Sequence, residues 1–140
     1  MQQAKCLRLT VLVSRSFRIN YTAAGHLPED HEGELMQGKV GKEVTSEEAQ
    51  EGAKLCALNI LGTLKHELGD LDKVKRVVKV VGFVNCVDSY FNQPVVINGA
   101  SNLFAEVFGA KGVHARSAVG TNALPLNVPV EVEAVIEVED

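Results

Sequence analysis

Two alternating segments near the end of the chain, His114-Ala-Arg-Ser-Ala-Val-Gly120 and Val130-Glu-Val-Glu-Ala-Val-Ile-Glu-Val138, carry one fixed cation and a row of carboxylates. Arg116 is permanently charged, and its planar fork of donors matches a carboxylate. If the two segments border a pocket, Arg116 anchors a small acid while Glu131 positions or activates water beside the reacting carbon. The competing reading is a cross-strand salt bridge between the same two residues, a common pairing of small net stability. Other chemistry is poorly served by the residues present. His26 and His114 lack the spacing and the carboxylate partners of a zinc set. Ser117 has no G-x-S-x-G elbow around it. Gly33, Gly38 and Gly41 are wrongly spaced for a phosphate loop or a dinucleotide fingerprint.

Alternation shows how these residues are to be positioned. Val130, Val132, Ala134, Ile136 and Val138 share one parity, and Glu131, Glu133, Val135, Glu137 and Glu139 share the other. This is a strand with one packed face, and Glu137 and Glu139 are expected on a wet one. In the preceding segment Ala115, Ser117 and Val119 alternate with His114, Arg116 and Ala118. The turn around Leu124-Pro125 makes a hairpin of the two strands the expectation.

Upstream, strands are expected over 7–13 and 17–24, then a loop over 29–42 with a short strand around 35–38. Thr45-Ser-Glu-Glu48 has capping-box spacing, and Ala49, Ala53, Cys56, Ile60 and Leu64 follow at helical intervals up to Gly69. Residues 74–84 are apolar on both parities, which fits a central strand. A second helix begins near Pro94 and ends before Gly109. Asn98-Gly99 disfavours helix, so either that helix starts later or Asn98 is held at a working position. The order strand, strand, helix, strand, helix, strand, strand gives an α+β fold with two helices on one face of a mixed sheet. The opposite face keeps apolar residues, and a closed homo-oligomer of unspecified subunit number would bury it.

At 140 residues, 1–140 reads as a single domain with one core. The net charge of −4 draws the chain to neither nucleic acid nor anionic membrane. No apolar run is long enough to span a bilayer, so no membrane partner is expected. Lys73, Lys75, Arg76 and Lys79 split over both parities without interleaved aromatics, as a solvated strand end does and an RNA groove does not. Cys6, Cys56 and Cys86 are isolated and odd in number, which favours a reducing, cytoplasmic setting, with Cys56 in core packing. Basic residues around a short apolar stretch at the N-terminus leave a mitochondrial-type presequence open.

From about Ala24-Gly-His-Leu-Pro28 to Val138 the chain closely resembles the RidA, or YjgF/YER057c/UK114, family, known by an older label as endoribonuclease L-PSP. The resemblance runs through Gly38-Lys-Val-Gly41, Ala53-Lys-Leu-Cys-Ala-Leu-Asn59, Gly82-Phe-Val-Asn85, Asn98-Gly-Ala-Ser101, Phe104-Ala-Glu-Val-Phe-Gly109 and Ala123-Leu-Pro125. Ala115-Arg-Ser117 near Leu-Pro and Val130-Glu-Val-Glu-Ala134 is the diagnostic combination. Residues 1–22 diverge, and G-H-L-P with N-G-A-S marks a branch of less settled chemistry. The resemblance implies a chorismate-mutase-like fold and a homotrimer with pockets between subunits. It also implies cofactor-free and metal-free hydrolysis of a 2-imino or 2-enamino acid to a 2-oxo acid and ammonia. In that reading Arg116 and Glu131 are catalytic, and Asn98, Arg116, Ala24, Gly25 and Ala118 contact the substrate. Many members have serine where Ala24 stands, and the deaminases often have cysteine where Ala118 stands. Those departures keep a second reading open, an inactive trimer that binds or senses a small carboxylate, and RNA cleavage ranks below both.

Overall fold

The apolar parity of the last strand organises the molecule. In the computed structural model, which describes residues 10–13 and 19–139, Val130, Val132 and Ile136 are wholly excluded from solvent and Ala134 and Val138 nearly so. The elements are β1 (Thr10–Val13), β2 (Ile19–His26), α1 (Ser46–Leu68), β3 (Val74–Asn85), α2 (Gln93–Phe108), β4 (Ala115–Thr121) and β5 (Val130–Val138). They form one mixed five-stranded sheet in the order β1-β2-β5-β3-β4, so the expected α+β order and the interior place of β3 both hold. Residues 7–9, 14–18 and 140 lie outside the described set, and with them parts of the two expected N-terminal strands.

Each helix forms where its caps and stripe direct it. The Thr45 hydroxyl accepts from the Glu48 amide at 3.2 Å and the Glu48 carboxylate accepts from the Thr45 amide at 2.8 Å, which satisfies two open donors at the start of α1. Gly69, at φ +80°, ends the helix in a conformation that side chains resist. Ala49, Ala53, Cys56, Ala57, Ile60 and Leu64 pack fully buried onto the sheet. Burial of each large aliphatic side chain contributes about 1.5–3 kcal/mol, so this layer outweighs any surface ion pair. α2 runs unbroken through Asn98-Gly99. A Cβ on Gly99 would overlap the Gln50 carbonyl oxygen of α1, so glycine is required there for close approach of the two helices.

Three expectations are corrected. β4 and β5 do not form a hairpin: both flank β3, β4 parallel and β5 antiparallel. β3–α2–β4 is a crossover unit, and the crossover delivers β4 to the outer edge. No strand of the sheet covers 35–38, where Leu35 makes only an isolated bridge to Glu29. Glu137 is not on a wet face: it is 3% exposed, with Arg76 donating to it and Lys75 at 4.0 Å. Glu139 is exposed as expected, and Lys73, Lys75, Arg76 and Lys79 are exposed too, running from the turn before β3 to the middle of that strand. Among the described residues no helix is long and apolar enough to cross a membrane.

Candidate functional site

Sheet register divides the candidate residues into two groups. Arg116 is in register with Val80 of β3, which pairs in turn with Ala134 of β5, and both of these face the helices. Its guanidinium accordingly reaches α2, where Nη1 donates to Asn98 Oδ1 at 2.8 Å and to Ser101 Oγ at 3.2 Å. Asn98 and Ser101 are three residues apart and so share a helix face, which explains how α2 grips one side chain twice. Ala118 shares the parity of Arg116 and packs against the core. Among the described residues Arg116 has no carboxylate partner, and its Nε and Nη2 donors stay open.

Glu131 occupies the opposite face. Its neighbours Val130 and Val132 are wholly buried under α1, so alternation turns Glu131 and Glu133 outward with Phe83 and Val81, their register partners. Ser117 and Val119 extend this uncovered face, and Val119 is 44% exposed. Burial and, secondarily, the adjacent Glu133 carboxylate raise the pKa of Glu131 above the usual carboxylate value. A carboxyl with raised pKa is better suited to hold and return a proton than one in open water. The salt-bridge alternative fails, since Arg116 and Glu131 sit on non-adjacent strands and opposite faces.

Gly25 belongs with Glu131. The β2–β5 register shifts between Ala23 and His26, so Ala24 and Gly25 form a bulge, and Gly25 takes φ +64°. A Cβ there would stand 3.3 Å from Glu131 Oε1. The bulge is tied down behind: His26 Nε2 lies 3.0 Å from Thr63 Oγ1, and Thr63 donates to the Asn59 carbonyl at 3.0 Å. The His26 ring therefore donates to Thr63, and burial lowers its pKa, opposed by the Ala24 backbone. Asn59 Nδ2 donates to the carbonyls of Leu27 and Glu29, both at 3.0 Å, which fixes the chain leaving the bulge. Ala24 is exposed and contributes no polar side-chain atom.

The sequence points to Ser101 as a site residue only through its i, i+3 spacing from Asn98. Among the described residues no group of three or more His, Cys, Asp or Glu side chains is placed to hold a metal ion. Cys56 is buried, which pushes its thiol pKa upward and leaves it a packing residue.

Residues 16–138 match the family described as "YjgF/chorismate mutase-like, putative endoribonuclease", so the match begins upstream of Ala24 and takes in β2. Protein TCP17 of Trypanosoma cruzi is 45% identical over 118 residues, covering 84% of this chain and 74% of that protein. The crystal structure of Atu1372, a protein of unknown function from Agrobacterium tumefaciens, is 43% identical with a TM-score of 0.84, over 93% of this chain and 82% of that one. The crystal structure of "a putative endoribonuclease" from Shewanella oneidensis is 27% identical with a TM-score of 0.86, over 99% of this chain and 89% of that one. With the mixed sheet, the two helices on one face and the Arg116 and Glu131 strands in place, the chain belongs to the YjgF/chorismate mutase-like family.

Proposed function

We propose that the protein hydrolyses a small 2-imino or 2-enamino acid to a 2-oxo acid and ammonia, in a homotrimer whose pockets join Arg116 of one subunit to Gly25 and Glu131 of the next. The observation that carries this reading is the state of Arg116, an exposed cation gripped through Nη1 alone by Asn98 and Ser101. Its Nε–Nη2 edge is the side-on fork for a carboxylate. The division of the residues over two sheet faces supports a shared pocket, because one chain alone offers the anchor on one face and the acid–base group on the other. The uncovered face with Val81, Phe83 and Val119 gives subunits a surface to bury.

In this mechanism Arg116 holds the substrate carboxylate, and the enamine first takes a proton from solvent on carbon, which gives the imine already protonated on nitrogen. Protonated on nitrogen, the imine carbon is electrophilic. Glu131 of the partner subunit, as carboxylate, accepts a proton from water as the oxygen attacks. The same proton passes to nitrogen, the regenerated Glu131 carboxylate takes the hydroxyl proton as the carbon–nitrogen bond breaks, and ammonia leaves with the carbonyl formed. Gly25 lets the bulge backbone approach the carboxylate closely. A second reading, a carboxylate-binding trimer without turnover, is favoured by Ala24 and Ala118, which supply neither hydroxyl nor thiol. The ribonuclease reading is not adopted, since Lys75 and Arg76 turn to Glu137.

Release of ammonia and 2-oxo acid from freshly generated 2-aminoacrylate separates turnover from binding, and no acceleration over buffer rejects hydrolysis of that substrate. Pocket sharing has its own test. When inactive R116A and E131Q subunits are unfolded together in equal amounts and reassembled, a pocket is intact only if each half comes from the right variant. About a quarter of wild-type activity then returns. No recovery in a reassembled trimer refutes the shared pocket.

A further inference from the structure

We infer that His114 is a positioning residue that orients Arg116 through Ser101, an inference that rests on the carboxylate-anchor reading of Arg116. Three contacts in series and a fourth beside them carry it. His114 Nδ1 stands 2.6 Å from the Gly112 carbonyl oxygen, which can only accept, so Nδ1 bears the ring proton. In the neutral ring Nε2 is then a bare acceptor, and at 3.0 Å it takes the Ser101 hydroxyl proton. With that proton committed, the lone pairs of Ser101 Oγ face Arg116 Nη1 at 3.2 Å. Asn98 Oδ1 takes the other Nη1 proton at 2.8 Å, so both are spent and the Nε–Nη2 edge is presented outward.

The first link is rigid for a steric reason. Gly109–Gly112 form a 3₁₀ turn pressed onto the end of α2, and a Cβ on Gly112 would overlap the Phe104 carbonyl. The Gly112 carbonyl cannot retreat without lifting Gly112, the buried residue of this turn, off the Phe104 carbonyl. Phe104, itself fully buried, meets the His114 ring edge to face at 6.0 Å and 89°. The imidazole is thus fixed in plane by Phe104 and in tautomer by Gly112, and it sets the polarity of the whole series. Without it, the Ser101 hydroxyl is free to turn its proton toward Arg116, where donor meets donor. Arg116 then keeps Asn98 alone and gains a rotational freedom that carboxylate binding must freeze again.

The test uses the full chain and pyruvate as the probe acid. Ring nitrogen–proton correlation spectra of the ligand-free protein should show His114 as the Nδ1–H tautomer, and an Nε2–H tautomer overturns the assignment. By titration calorimetry, H114F and S101A should each weaken pyruvate binding roughly tenfold. The S101A/H114F double variant should be no weaker than either single one, because both break the same series. H114Q, whose amide oxygen can accept from Ser101, should regain part of the affinity, a rescue that a purely packing role does not produce. If H114F fails to fold, S101A and H114Q decide the matter alone. Wild-type affinity in S101A, with binding abolished in R116A, overturns the positioning role. If wild type and R116A alike ignore pyruvate, the anchor reading falls instead, and the inference built on it falls too.

Discussion

Gly25→Ala is the sharpest perturbation of the half-site around Glu131, because its two costs can be separated. The backbone at Gly25 has φ +64°, and a side chain in the left-handed region costs about 1–2 kcal/mol. The added methyl would stand 3.3 Å from Glu131 Oε1, a contact that moves the carboxylate by a few tenths of an ångström rather than breaking the fold. Gly33→Ala supplies the control: φ is +84°, but its methyl would meet only Glu29 Oε1 at 3.8 Å, in the loop after β2. Both variants should lose about 1–2 kcal/mol in urea denaturation, or roughly 3–8 °C in melting temperature. Only Gly25→Ala should lose turnover beyond its unfolded fraction, by roughly tenfold, since small displacements of a catalytic group are costly. Equal turnover per folded molecule in the two variants would refute the pairing of Gly25 with Glu131. An undiminished stability of Gly25→Ala would show that the left-handed bulge is not held in solution.

R116A should raise the dissociation constant for pyruvate by about 100-fold or more, as loss of a bidentate charge-assisted pair implies. Because Arg116 is exposed, the same variant should change unfolding free energy by no more than about 0.5 kcal/mol, checked by calorimetry and urea melts. Gly99→Ala should destabilise by about 1–3 kcal/mol or prevent folding, since its methyl meets backbone and not a flexible side chain; a wild-type melt would contradict the helix approach. For Glu131 the raised folded pKa means folding favours the protonated form, so its contribution is whole at low pH and is lost as pH rises through the folded value. E131Q should therefore match wild-type stability near about pH 3 and exceed it near about pH 8, and a pH-independent difference would refute the assignment.

The parts of the fold legible in the sequence are those set by short-range rules. The Thr45–Glu48 capping box, the Ala49 to Leu64 stripe and the Gly69 stop define α1 within a residue. Alternation in 130–138 separates the buried from the outward side chains of β5 as far as Ile136. Glu137 escaped that rule because its cationic partners come from β3, with Arg76 lying 61 residues upstream, and the sequence does not say which strands will be neighbours. The hairpin expectation failed for the same reason, although the chain held a warning. Eight residues separate β4 from β5, too many for a two-residue turn, and β3–α2–β4 is a strand–helix–strand unit that calls for parallel pairing. Asn98-Gly99 shows the converse case, in which a local preference against helix is overridden by the close approach of α1 at Gly99 and accompanied by the Asn98 hydrogen bond to Arg116.

The separation of Arg116 from Glu131 follows from that pairing order. In a hairpin the two could have met directly, as anchor and base or as a neutralised pair. With β3 between their strands, and the parity of one strand fixed by α2 and of the other by α1, neither can neutralise the other. The cation keeps its open edge and the carboxyl keeps its raised pKa because the fold holds them apart. A site that needs an unpaired cation for the substrate and an unpaired carboxyl for the proton gains from that arrangement, provided a second subunit reunites them only around a ligand. The divided geometry is thus an argument for chemistry between subunits that neither residue, taken on its own strand, supplies.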